Sequence, residues 1–169
     1  MSARRAATLV AIAGLMFALK LHYSAAAVEQ LRWILGPTSG VVSLLSGATF
    51  EFEQGAGYLS RQRLFLIEKS CAGVNFMIAA VGMIGFALSR EASGWRPAAS
   101  IIARSLALAY AAAVFVNAAR ILVAMHFASA DLASGWWTED RVHRLEGIAV
   151  YFAGLLLLDL AQRAFAAAR

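Results

Sequence analysis

A single cysteine, Cys71, lies in "IEKSCAGVNF", where a charged segment gives way to an apolar one. A lone thiol makes no internal disulfide and no cysteine-rich metal site. It can serve as a nucleophile if something takes its proton and something else stabilises the anion that its attack creates. Two further residues have those capacities in unusual settings. Arg120 interrupts the apolar run "FVNAARILV", and a guanidinium offers several donors to a developing oxyanion. His143 opens the last apolar run, and a neutral imidazole can take a proton from a thiol and return it to a leaving amine. Asn117 lies three residues before Arg120, on the same helix face, where it could orient the guanidinium. Glu146, one turn beyond His143, could orient the imidazole or pair with Arg144.

Each of these residues also has a plainer reading. Free cysteine is among the most buried residue types and packs as a small apolar group. An arginine near the end of a membrane span can snorkel to the headgroups. A histidine at a boundary can be merely interfacial. His126 is a second candidate for the proton carrier, although it falls in the loop expected after the Arg120 helix. Asp159 lies near the opposite end of the last helix and could pair with Arg163 or with Arg104, a structural role. With three histidines and one cysteine, neither a metal site nor a cofactor is expected.

The elements that must position these residues are apolar. The chain has 169 residues, the length of a single domain, 1–169; 61% are hydrophobic and only 15% charged, against roughly 25% charged in a soluble domain. The net charge of +5 does not point to nucleic acid, because the arginines are not gathered into a patch with interleaved aromatics. They flank apolar runs instead, as topology signals do. Residues 5–23 read as a first membrane helix. They also resemble a secretory signal followed by the small residues of "SAAAVEQ", but the apolar stretch continues past Lys20 to Tyr23. Residues 25–48 read as an interfacial helix carrying Trp33, then a short re-entrant segment beginning at "PTSG". In residues 49–69, Phe50 and Phe52 alternate with Glu51 and Glu53, "QGAG" is rich in turn formers, and "RLFLIEK" follows: a small β-hairpin. Spans are expected over 71–88, 98–124 and 143–166. The fold class is therefore an all-α polytopic membrane protein. It has about four full transmembrane helices, an interfacial or re-entrant helical segment and a small extracytoplasmic β-hairpin.

Orientation brings the reactive residues to one depth. Arginines at 4 and 5, in the loop from 90 to 96, and at 163 and 169 mark the cytoplasmic side, so both termini face inward. Cys71 then opens an inward-running helix from outside, where the helix N-terminus favours a thiolate. Arg120 lies 23 residues after Pro97, roughly 35 Å of helical rise and a full crossing. His143 begins the last helix from outside. Cys71, Arg120 and His143, on three helices, reach the outer boundary together.

"SCAGVNF", then "VNAARILV", then "VHRLEGIAVYF" resembles, in order and in helical placement, the exosortase and archaeosortase family of membrane cysteine transpeptidases, particularly the compact exosortase K branch. The resemblance covers roughly residues 45–160. It implies that Cys71 is the nucleophile, Arg120 the substrate or oxyanion stabiliser and His143 the proton carrier. It also implies partners: exported proteins whose C-terminal signals combine a short recognition motif, a hydrophobic helix and a basic tail. The enzyme would sit among the lipids of a bacterial inner membrane, with its site facing the periplasm or exterior. Larger members have N-terminal spans that this chain lacks. Two other functions fit the composition: a non-catalytic subunit of a transport or secretion complex, and a membrane acyltransferase that uses Cys71.

Overall fold

A computed structural model describes residues 3–91, 98–129 and 139–167. Five α-helices carry most of them: α1 (Ala3–Ala25), α2 (Arg32–Ser46), α3 (Val74–Glu91), α4 (Ala98–Ser129) and α5 (Glu139–Ala167). Between α2 and α3 lie three short strands, β1 (Glu51–Glu53), β2 (Gly57–Ser60) and β3 (Phe65–Ile67). Among the described residues, α1, α4 and two stretches that coincide largely with α3 and α5 are long and apolar enough to cross a membrane. α2 is apolar too, but its 15 residues rise only about 22 Å, short of a hydrocarbon core of about 30 Å.

The chain divides into two compact units. The first comprises residues 1–25, 74–113 and 155–169. Here α1 packs along α3. Lys20, near the end of α1, donates to the side-chain oxygen of Asn75 at the start of α3 (2.9 Å). Near the other end, the Arg5 guanidinium lies 5.9 Å from the Phe86 ring. The two helices are thus antiparallel, and α1 buries Thr8 and Ile12.

The second unit comprises residues 26–73 and 114–154. A 3₁₀ turn, Val28–Leu31, leads straight into α2. The interfacial helix and the short segment expected to follow it from "PTSG" form one continuous helix. Pro37 sits inside α2, where its missing N–H forgoes the one helical bond to the carbonyl of Trp33. α2 closes at Gly47 in the left-handed conformation (φ 68°). The sheet also differs from the two-stranded hairpin expected. It is an antiparallel meander in the order β1-β2-β3, with Phe52 opposite Tyr58 and Leu59 opposite Leu66. The extra strand, "GYLS", places its two large apolar residues side by side and so shows no alternation, and the turn after it passes through Leu64 at φ 48°. Phe52 meets Tyr58 edge-on, with ring centroids 5.2 Å apart, and the Arg32 guanidinium stacks 4.5 Å from the Phe52 ring. The Glu29 carboxylate accepts from the Gly55 N–H at the β1–β2 turn (2.6 Å). These contacts fasten the sheet to the start of α2.

The helix expected over 98–124 runs on to Ser129, so His126 is helical and not in a loop. The helix expected to begin at His143 begins at Glu139. On α5 the exposed positions include Leu145, Ile148, Phe152, Leu156 and Leu160, a stripe at three- and four-residue spacing, while Glu146 is buried. That is the inverse of a helix that faces water.

Candidate active site

Cys71 ends a 3₁₀ turn, Lys69–Cys71, that leaves β3 after Ile67. Its N–H donates to the Glu68 carbonyl (2.9 Å), and the Ala72 N–H donates to that of Lys69 (3.0 Å). Gly73 follows at φ 68°, a left-handed conformation that side chains disfavour. A Cβ built there would lie 2.9 Å from Cγ of Asn117. Glycine is therefore required twice over, for the bend and for the close approach. Cys71 thus precedes α3 by a turn and a kink; it does not open the helix as the sequence suggested. Its side chain is buried, 5% exposed, with the Ser70 hydroxyl 3.8 Å from the sulfur. That hydroxyl donates to the Glu68 carboxylate (2.6 Å). The Lys69 ammonium donates to the Ala26 carbonyl (2.7 Å) and ties the turn to the chain before α2.

Asn117 is fully buried on α4. Its amide nitrogen donates to the main-chain carbonyl of Cys71, and its oxygen accepts from the Tyr151 hydroxyl (2.8 Å). One amide thereby joins the cysteine turn, α4 and α5. The sequence suggested that Asn117 orients Arg120; its side chain makes its hydrogen bonds to Cys71 and Tyr151. A planar group with a donor and an acceptor on one stem suits this bridge.

Arg120, one turn further along α4, is 8% exposed. Its guanidinium carbon lies 5.4 Å from the Tyr151 ring centroid, a cation–π arrangement. The α5 backbone passes so close at Gly147 that a Cβ there would lie 2.8 Å from Arg120 Nε. Glu146 is buried beside it, and its carboxylate interacts electrostatically with the guanidinium. The opposite charge offsets part of the cost of burying Arg120. Glu146 was expected to orient His143 or pair with Arg144; Arg144 is exposed, the charge of Arg120 acts on Glu146, and the His143 side chain lies outside the described residues.

His143 lies in the helical backbone of α5, one turn before Gly147, and its side chain lies outside the described residues. The ring of His126 lies 6.3 Å from that of Phe127. Asp159 pairs with Arg163 (2.8 Å) in the other unit. Among the described residues no group of His, Cys, Asp and Glu could hold a metal ion.

Cys71, Asn117, Arg120 and Glu146 therefore belong to one connected cluster in the second unit, completed by Tyr151, Gly73 and Gly147. Sequence reasoning missed the last three. Gly147 and Tyr151 follow His143 at four-residue steps, so they share its helix face, and that spacing was the available signal. Comparisons of the chain with protein-family models, with curated proteins and with solved structures gave no match.

Proposed function

We propose that this chain is a membrane-embedded cysteine transpeptidase or protease of the exosortase type. It would act at the outer face of a bacterial inner membrane on exported proteins with a C-terminal sorting signal. The observation that carries this reading is the Asn117 bridge. It ties the cysteine turn to the helix that bears Arg120, one turn away, and through Tyr151 to the helix that begins near His143. The membrane setting is supported by four apolar helices and by the apolar exposed stripe of α5.

In this reading the substrate's apolar helix lies beside those of the enzyme, and its scissile bond sits at the outer boundary. The Cys71 thiol gives its proton to His143, and the sulfur attacks the carbonyl carbon. Arg120 donates hydrogen bonds to the oxyanion, which is worth most in a site of low dielectric. The C–N bond then breaks, and His143 returns the proton to the departing amine, which leaves with the helix and basic tail. The acyl-thioester on Cys71 is resolved by water or by an acceptor amine. β3 ends four residues before Cys71 at an edge of the sheet, and an extended recognition motif can add to such an edge.

The test is co-expression with a protein that bears a cognate C-terminal signal. Cys71→Ala should abolish processing, and mass spectrometry should find a peptide-linked adduct on Cys71 of the wild type. A second reading, a non-catalytic subunit of a membrane complex, draws on the burial of Cys71 and the structural use of its carbonyl. It predicts that Cys71→Ala keeps full activity. A lipid-linked adduct on Cys71 would point instead to an acyltransferase.

A further inference from the structure

The first unit contains an open cavity of about 680 Å³ lined by Met83, Phe86, Ala87 and Arg90 of α3 and by Asp159, Gln162, Arg163 and Ala166 of α5. Its walls have two characters. Met83, Phe86, Ala87 and Ala166 are apolar, whereas Arg90 and Arg163 are cationic. The guanidinium groups of Arg5 and Arg90 both lie 5.9 Å from the Phe86 ring, so that one aromatic side chain gathers two arginines. Asp159, the one carboxylate in the lining among the described residues, is engaged by Arg163 at 2.8 Å. Among the described residues the lining carries two arginines against one carboxylate, and Arg5, beside the Phe86 ring, adds a third positive charge close by. None of these residues belongs to the Cys71 cluster.

We propose that this cavity binds the headgroup of an anionic phospholipid. Arg90 and Arg5 would hold the phosphate, while the apolar wall from Met83 to Ala87 takes the start of an acyl chain. Charge and shape both favour that occupant. Arginine presents a planar fork of donors that matches phosphate oxygens in pairs. The arginines stand at the arginine-rich ends of α1, α3 and α5, which the positive-inside rule assigns to the cytoplasmic leaflet, the one that carries anionic lipid in excess. The basic tail of a sorting signal is a poor fit, because it would meet two or three guanidinium groups and a carboxylate already paired. The proposal rests on the membrane reading of the four helices but not on the chemistry of Cys71.

The experiment uses the full chain in detergent and native mass spectrometry. Phosphatidylglycerol and phosphatidylcholine of identical acyl composition are added in equal amounts, with and without inorganic phosphate. Wild type should retain phosphatidylglycerol in preference, by about fivefold for each contacting arginine. Arg90→Gln should lose most of that preference. Arg104→Gln, an exposed arginine outside the cavity, should keep it. Asp159→Asn should increase it, a gain that misfolding cannot imitate. Cys71→Ala should match wild type whatever becomes of its processing activity. Equal retention of the two lipids would overturn the proposal. So would equal losses in Arg90→Gln and Arg104→Gln, or a decrease in Asp159→Asn. Displacement of the lipid by millimolar inorganic phosphate would reassign the cavity to a free anion and also overturn it.

Discussion

The buried amide of Asn117 donates to the main-chain carbonyl of Cys71, 46 residues earlier in the chain. A carbonyl in a 3₁₀ turn has no regular ladder to satisfy it, and in an apolar surrounding it must find a donor. By supplying one, Asn117 fixes the turn against α4. Its own oxygen is satisfied by Tyr151, so the bridge is closed at both ends.

Replacing Asn117 by Leu should therefore destabilise the chain by about 1–3 kcal/mol, the cost of taking its donor from the buried Cys71 carbonyl. Tyr151→Phe removes the hydroxyl but leaves the Asn117–Cys71 bond, and should cost only about 1 kcal/mol. Thermal unfolding in detergent gives the two values. Maleimide labelling of Cys71 should accelerate in Asn117→Leu, because the turn is released, and stay near the wild-type rate in Tyr151→Phe. Equal labelling in the two variants would mean that the bridge does not hold the thiol.

Gly73→Ala acts on the same turn from the other side. The left-handed backbone costs a side-chain-bearing residue about 1–2 kcal/mol, and the new methyl would press on Asn117. Gly55, also left-handed, has open space around it, so Gly55→Ala carries the backbone cost alone. The prediction is a larger fall in melting temperature for Gly73→Ala than for Gly55→Ala.

The β1–β2 turn has its own pH dependence. Glu29 accepts from the Gly55 N–H, and that bond, followed by one from its own main chain, holds its carboxyl below the usual value of 4.5. The folded state thus binds this proton more weakly than the unfolded state. The stabilisation is fully present above the unfolded value and is lost as the pH falls through the lowered, folded one. Hydrogen exchange at the Gly55 amide should become less protected as the pH is taken below about 4.5, once the intrinsic pH dependence of exchange is removed. In Glu29→Gln the corrected protection should be independent of pH over that range.

Much of this arrangement could be read from residue types and helical rise. Long apolar runs bounded by arginines marked the helices, and counting from Pro97 brought Arg120 to the depth of Cys71. What could not be read was which polar atom meets which. Asn117 shares a face with Arg120, so spacing alone paired those two, yet the partner of its amide is a main-chain carbonyl, and every residue has one of those. Tyr151 stands in an apolar run, and nothing in its spacing names a partner. Its hydroxyl matters only because α5 lies against α4 at Gly147. The third strand was hidden for a different reason: in "GYLS" the two large apolar residues, Tyr58 and Leu59, are adjacent, so no alternation marks it.

That contact between α4 and α5 yields the sharpest test of the site. Gly147→Ala replaces none of the catalytic candidates, but its methyl would occupy space within 2.8 Å of Arg120 Nε. The guanidinium must shift, and a displacement of about 1 Å can cost about a hundredfold in rate. Stability should not fall in step, because alanine favours a helix over glycine by about 1 kcal/mol and offsets part of the strain. Arg120→Lys keeps the charge but loses the planar fork, and should lower processing by about 10²–10³-fold. If Arg120 stabilises the oxyanion, both variants lose rate while melting near the wild-type temperature. If Arg120 is only a buried counter-charge to Glu146, Arg120→Lys should process at the wild-type rate and Gly147→Ala should affect melting alone. Processing rates and melting curves measured on the same preparations separate the two roles.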